Sequence, residues 1–224
     1  MRRQITQSLA FNLLLALLLF APAGTLAWPQ AWVFLFLFDI CGLATGWWLM
    51  RTDPALLAER MKSPVGGGQR RRDQVVMGVM GLSFAAWLVF MGLDARRFSW
   101  SRDPLWAQGL GAMLIVAAFA AWTAVLAANT FAASTVRVQA ERGQTVISTG
   151  PYALVRHPMY AAAIFLFVGA PLLLGSLWGL AWMALFIPLM AMRALGEETV
   201  LLDGLPGYRE YAARVRFRLF PGVW

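Results

Sequence analysis

Residues 159–196 read MYAAAIFLFVGAPLLLGSLWGLAWMALFIPLMAMRALG: two apolar runs, 159–175 and 178–196, joined only by Gly175, Ser176 and Leu177. At about 1.5 Å per helical residue, each run approaches the length that crosses about 30 Å of hydrocarbon. A connection this short forces the second run to return alongside the first, so the spacing predicts a tight antiparallel helical hairpin.

Four further apolar runs precede it, at 8–27, 30–50, 75–94 and 105–131. The 224-residue chain is 60% hydrophobic and 13% charged, with 11 Trp and 15 Phe, more apolar side chain than a soluble domain of this size can enclose. The predicted fold is an all-α integral membrane protein of about six transmembrane helices. It forms one multi-pass domain over 1–224, with four spans and a basic loop in 1–131 and a ligand-binding region in 132–224.

The basic residues set its orientation. With the N-terminus inside, sixteen of the nineteen fall in inward-facing segments and only Arg96, Arg97 and Arg102 lie outside, as short Lys/Arg-rich loops stay cytosolic. Both termini and the loop before residue 159 are therefore predicted to face the cytosol. The net charge of +8 follows from this topology and from anionic lipid headgroups. Nucleic acid is not a predicted partner, because the arginines flank spans and form no separate basic domain.

Residues 1–27 share features with a secretory signal, namely Arg2 and Arg3 before an apolar run and small residues from Gly24 to Ala27, and are read here as an uncleaved first span. Cys41 is the only cysteine, which excludes an intrachain disulfide and a cysteine metal cluster; no metal site is predicted. Ser63 to Asp73, SPVGGGQRRRD, lacks the GK[ST] of a phosphate loop and is read as a mobile basic loop. Before it, Asp53 followed by Pro54 predicts the start of a short interfacial helix. Thr135 to Val138 and Thr145 to Ser148, around Glu141, Arg142 and Gly143, predict a small cytosolic β-hairpin. Asp39, inside an apolar run, is predicted to face other helices or a polar cavity, with a functional role and a structural hydrogen bond both open.

The chemistry collects at the mouth of the hairpin. Gly150 to Tyr160 reads GPYALVRHPMY, which sets Arg156 and His157 immediately before Pro158. The residue before a proline is held extended, so these two side chains are predicted to project in opposing directions. Pro158 suits a first helical turn, whose free N–H groups favour an anion, with His157 and Tyr160 adding donors. At the returning end, Arg193, Glu197 and Glu198 come back to the level of His157. Arg193 and Glu197 are one turn apart and could form a surface ion pair, which leaves Glu198 unused. The tail LPGYREYAARVRFRLFPGVW sets Tyr208, Tyr211 and Val215 near one helical face and predicts an amphipathic cover over the site.

GPYALVRHPMY, the RALGEE segment with Leu201 behind it, and GYREYAARV followed by Pro221 together resemble the membrane methyltransferases related to isoprenylcysteine carboxyl methyltransferase and phospholipid methyltransferases. The resemblance covers about residues 135–224 and departs from the family at Leu205 to Gly207, LeuProGly in place of Phe-Gly. It implies S-adenosylmethionine as methyl donor, bound at the cytosolic boundary without a Rossmann domain. It also implies a lipophilic acceptor drawn from the membrane. By this resemblance Tyr152, Arg156, His157, Pro158, Tyr160 and Glu197 are cofactor-binding, and Arg193 and Glu198 catalytic. An amine acceptor would have to lose a proton, with Glu198 the candidate to take it. Prenylcysteine, phospholipid amine, another isoprenoid and a small hydrophobic thiol remain open as acceptors. Two competing readings are an NADPH-dependent membrane reductase of the sterol type and a transporter or non-catalytic scaffold.

Overall fold

The computed structural model describes residues 2–62 and 71–224, so residues 63–70 of the predicted basic loop lie outside the described residues. The chain is helical: α1 Arg2–Ala23, α2 Pro29–Thr52, α3 Pro54–Arg60, α4 Arg71–Gly92, α5 Leu105–Ala128, α6 Pro158–Leu174, α7 Met183–Gly204 and α8 Tyr208–Arg214. Four segments are long and apolar enough to cross a membrane: Pro29–Thr52, Asp73–Arg97, Leu105–Ala128 and Leu177–Gly204. Leu9–Ala23 and Pro158–Leu174 are shorter apolar helices. Six apolar runs thus give six apolar helices, but only four reach span length. Pro158 starts α6 and Gly175, with φ of 79°, ends it after 17 residues, roughly 25 Å of rise.

The outer face is apolar, as hydrocarbon requires. Leu82, Leu105 and Trp106 are 75%, 80% and 72% exposed, while the interior packs around Trp28, Trp87, Met91 and Ile115. Phe167 of α6 stacks on Phe186 of α7 at 4.2 Å between ring centroids, and Trp87 of α4 meets both edge-on. The Trp87 indole donates to the Gly179 carbonyl at 2.9 Å, which satisfies its one polar atom. α5 and α6 approach most closely, because Gly111 and Gly169 lie face to face. A Cβ at Gly111 would stand 2.3 Å from the Leu173 backbone nitrogen.

The hairpin turn at Gly175 forms as predicted, though the second run opens with a 3-10 stretch, Leu177–Trp182, before α7 begins. At this end Asp94, fully buried, accepts hydrogen bonds from Ser101 (2.7 Å) and Ser176 (2.6 Å) and so ties two connections together. α7 runs beyond the apolar run that ends at 196, through Glu197 and Glu198 to Gly204.

At the other end the interfacial helix forms as α3: Asp53 caps it by accepting from the Leu56 amide at 2.9 Å, and Leu56 is fully buried. The predicted β-hairpin does not form; the described residues contain no strand. Residues 140–142 make a single 3-10 turn, and the Gly143 φ of 63° ends it. Gln139 explains why no ladder closes: its amide donates to the Phe131 carbonyl (2.8 Å), while its backbone N–H donates to the Gln144 side chain (2.7 Å). Side chains thus take up the groups that a paired strand would use.

Candidate functional site

The segment Thr130 to Ser134, between α5 and the 3-10 turn, is held open by side chains from four places in the chain. Arg142 donates to the Thr130 carbonyl (3.0 Å), Gln139 to Phe131 (2.8 Å), Arg60 to Ala132 (2.9 Å) and Arg193 to Ser134 (2.9 Å). Four backbone acceptors are fixed in this way without secondary structure. The segment becomes one wall of a cavity enclosing about 900 Å³ of empty space, continuous with the exterior.

The opposite wall is the mouth of the α6–α7 hairpin. Tyr152, Arg156, His157, Pro158, Tyr160, Arg193 and Glu197 all line the cavity, so seven of the eight predicted site residues converge there. The Tyr160 hydroxyl donates to Glu197 Oε2 at 3.0 Å. His157 is 4% exposed, with Nε2 3.1 Å from Glu198 Oε1 and Nδ1 3.8 Å from Glu197 Oε2. Its ring lies 5.6 Å from that of Tyr160 in a stacked arrangement. Two motifs separated by about forty residues therefore meet through hydrogen bonds between buried polar groups.

Glu198 does not line this cavity. It sits behind the wall, 5% exposed, in contact with the His157 imidazole and two guanidinium groups, Arg218 Nε (3.1 and 3.2 Å from its two oxygens) and Arg156 Nε (3.1 Å). The Arg156 contact is an ion pair by distance only, since its Nε–H has no acceptor in hydrogen-bonding geometry. Arg156 and His157 thus turn toward one carboxylate, contrary to their predicted divergence.

Arg193 also differs from its prediction. Its guanidinium pairs with Asp73 on α4, Nη1 to Oδ1 at 2.6 Å, and with the Ser134 carbonyl. At 6% exposure it is an interior group, and the predicted surface pair with Glu197 is replaced by these contacts.

The tail closes the site from the side. Tyr208 and Tyr211 of α8 are 4% and 2% exposed and line the cavity, and the Tyr211 hydroxyl donates to the Tyr152 carbonyl at 2.9 Å. Burial pushes the Tyr152 and Tyr208 phenols well above the ordinary tyrosine range and the Tyr211 phenol up to about 12. Beyond α8 the chain lies along the RHP motif: the Arg156 amide donates to the Phe217 carbonyl (3.0 Å) and the His157 amide to that of Arg218 (2.8 Å). The guanidinium of Arg218 is 5.0 Å from the Trp224 ring. Asp39 does not line this cavity.

The composition of the wall suits a zwitterionic ligand. Arg156 and His157 lie near the first turn of α6, where an anion is favoured, and Glu197 supplies a carboxylate for a cation. The Tyr208 hydroxyl is buried without a hydrogen-bond partner, which leaves polar capacity at the cavity for a ligand. S-adenosylmethionine, with its carboxylate, ammonium and sulfonium, fits this donor set. No group of three or more metal-ligating side chains is found among the described residues.

Asp73, Arg60, Arg142 and Arg218 were not among the predicted site residues. Their only sequence signal is charge near a span end, which many arginines here share.

The model of the phospholipid methyltransferase family matches residues 106–204, from α5 to the end of α7. Both the GPYALVRHPMY and RALGEE segments fall within the match, so the family resemblance carried by these motifs is shown for this part of the chain. The tail from Leu205 onward lies outside it. No curated protein matches the chain.

Proposed function

We propose that the chain is an integral-membrane, S-adenosylmethionine-dependent methyltransferase acting on a lipophilic acceptor. The observation that carries this reading is the convergence of His157 and Tyr160 from one motif with Glu197 from the other at one cavity wall, with Glu198 bonded to His157 behind it. The similarity of residues 106–204 to phospholipid methyltransferases supports the same chemistry.

When bound, S-adenosylmethionine supplies an electrophilic methyl group on a sulfonium sulfur. Arg156 and the first turn of α6 provide positive potential for its carboxylate, with the His157 ring beside them, and Glu197, oriented by Tyr160, provides the opposite charge. Tyr152, Tyr208 and Tyr211 exclude water from the same space. Arg193 marks the acceptor end, where it is fixed by Asp73 and Ser134. Glu198 acts through His157 as a positioning residue. An acceptor atom attacking in line with the departing sulfur needs no covalent help, so positioning and dehydration are the protein's main contribution. The charge bias of the loops supports a cytosolic position for this end of the bundle and for both termini.

Titration calorimetry on the purified protein in detergent tests the donor. S-adenosylhomocysteine should bind, and Glu197→Ala should weaken it by about tenfold or more, as expected for loss of a charged hydrogen-bond partner. NADPH binding without S-adenosylhomocysteine binding would move the assignment to a membrane reductase. In membranes given radiolabelled methyl donor, Arg193→Ala and Glu198→Ala should abolish labelling of the lipid fraction, and Arg102→Ala should not. Unchanged turnover in both site variants overturns the proposal.

A further inference from the structure

The short helix α8 carries two tyrosines to the cavity, and only one of them is satisfied there. Gly207, with φ of 82°, turns the chain into α8, and Tyr208 and Tyr211 then stand three residues apart on one helical face. Both pack with Leu205 in a small cluster against Val138 and Val146, their ring centroids 5.6 Å apart. Packing on this scale fixes each ring and therefore the place of each hydroxyl.

The two hydroxyls differ. That of Tyr211 donates to the Tyr152 carbonyl at 2.9 Å, whereas that of Tyr208 is buried with no hydrogen-bond partner among the described residues. A buried hydroxyl left unpaired is costly, and phenylalanine would fill the same space without that cost. The oxygen at Tyr208 therefore calls for a partner that the chain itself does not supply. Burial holds the phenol well above the ordinary tyrosine range, with Glu198 and Glu197 adding to the effect and Arg156 opposing it, so the O–H group stays intact and free to donate.

The surroundings of this hydroxyl indicate which atoms it meets. Beyond α8 the tail runs beside Arg156, whose Nη2 donates to the Arg216 carbonyl at 3.4 Å and whose amide donates to the Phe217 carbonyl at 3.0 Å. Tyr208 lines the cavity together with Arg156 and Glu197, the two side chains whose opposite charges suit the carboxylate and ammonium of the methyl donor. A neutral O–H placed among them complements a carboxylate.

We propose that the Tyr208 hydroxyl is a donor-binding contact that hydrogen-bonds the carboxylate at the amino-acid end of S-adenosylmethionine. The proposal rests on the first cavity holding the methyl donor. It makes the tail, which lies beyond the matched residues 106–204, part of the donor site rather than only its cover.

Tyr208→Phe removes one oxygen and keeps the ring. Titration calorimetry on the full chain in detergent compares S-adenosylhomocysteine with methylthioadenosine, which has the same nucleoside and sulfur but no amino-acid end. The variant should bind S-adenosylhomocysteine about tenfold more weakly, the scale of one hydrogen bond to a charged group, and methylthioadenosine as well as the unaltered protein does. Its melting midpoint without ligand should equal or exceed that of the unaltered protein, because an unpaired hydroxyl has gone, whereas Tyr211→Phe, which loses the bond to Tyr152, should melt lower. Full S-adenosylhomocysteine affinity in Tyr208→Phe, equal weakening of both ligands, or a lowered midpoint without ligand overturns the proposal and leaves the donor assignment standing. No binding of S-adenosylhomocysteine to the unaltered protein overturns the donor assignment and the Tyr208 contact with it.

Discussion

Glu198→Gln tests whether charge holds the two halves of the site together. The carboxylate is 5% exposed and touches His157 Nε2 at 3.1 Å, Arg218 Nε at 3.1 and 3.2 Å and Arg156 Nε at 3.1 Å. Glutamine keeps the shape and one acceptor oxygen, but it turns an N–H₂ group toward a guanidinium or an imidazole N–H. Hydrogen bonds to charged groups contribute about 1.5–3 kcal/mol each, and the Arg218 bond counts at the low end because that side chain is 26% exposed. Weakening the His157 and Arg218 bonds together gives a loss of about 3 kcal/mol, the lower edge of the range for a buried ion pair stripped of one partner. For a chain of this length each 1 kcal/mol moves the melting midpoint by about 2–4 °C, so the variant should melt roughly 6–12 °C lower. Intrinsic tryptophan fluorescence of the detergent-solubilised protein reads that shift. The double variant with Arg218→Gln adds a sharper criterion: with both charges gone, the second substitution should cost less than it does alone. A midpoint within about 2 °C of the unaltered protein, or single effects that simply add, would refute the clamp.

Two further outcomes follow from the packing and the tyrosines. Gly111→Ala places a Cβ 2.3 Å from the Leu173 backbone nitrogen and 2.6 Å from the Gly169 carbonyl oxygen, an overpacking that costs about 1–3 kcal/mol. Gly109→Ala, where nothing lies within 4 Å, serves as the control, and equal melting of the two variants would contradict the α5–α6 contact. For the tyrosines, burial favours the neutral phenol in the folded protein, so that stabilisation is complete below the unfolded value of about 10 and is lost as pH rises through the folded values. In a Tyr160→Phe variant the three remaining tyrosines should show little tyrosinate absorbance at about pH 11 while the tryptophan signal remains native. Full tyrosinate absorbance from a folded protein at that pH would contradict their burial.

The helical hairpin was legible because its evidence is local: apolar runs of the right length, Gly175 at the turn and Pro158 at the start of α6. Convergence of the two motifs followed from the antiparallel return, and His157 does meet Glu198. What failed depended on particular side-chain contacts that composition does not reveal. Thr135 to Ser148 has strand propensity, but Gln139 takes the hydrogen bonds for itself. Arg193 has a plausible partner one turn away in Glu197 but takes Asp73, 120 residues earlier. Asp73 and Arg218 carried no signal of their own, since an arginine clasped to a buried carboxylate and one facing lipid headgroups read alike in sequence.

The two hydrogen bonds from Arg156 and His157 to the carbonyls of Phe217 and Arg218 set an order of assembly. Those acceptors are synthesised about sixty residues after the amides they receive, a delay of roughly 3–12 s at ordinary ribosomal rates. During that interval α6 can already be inserted while the backbone ahead of it still bonds to water. Competence to hold a ligand therefore arrives late, as a post-insertion event, and a nascent chain stalled before residue 217 should be embedded in the bilayer yet unable to retain S-adenosylhomocysteine.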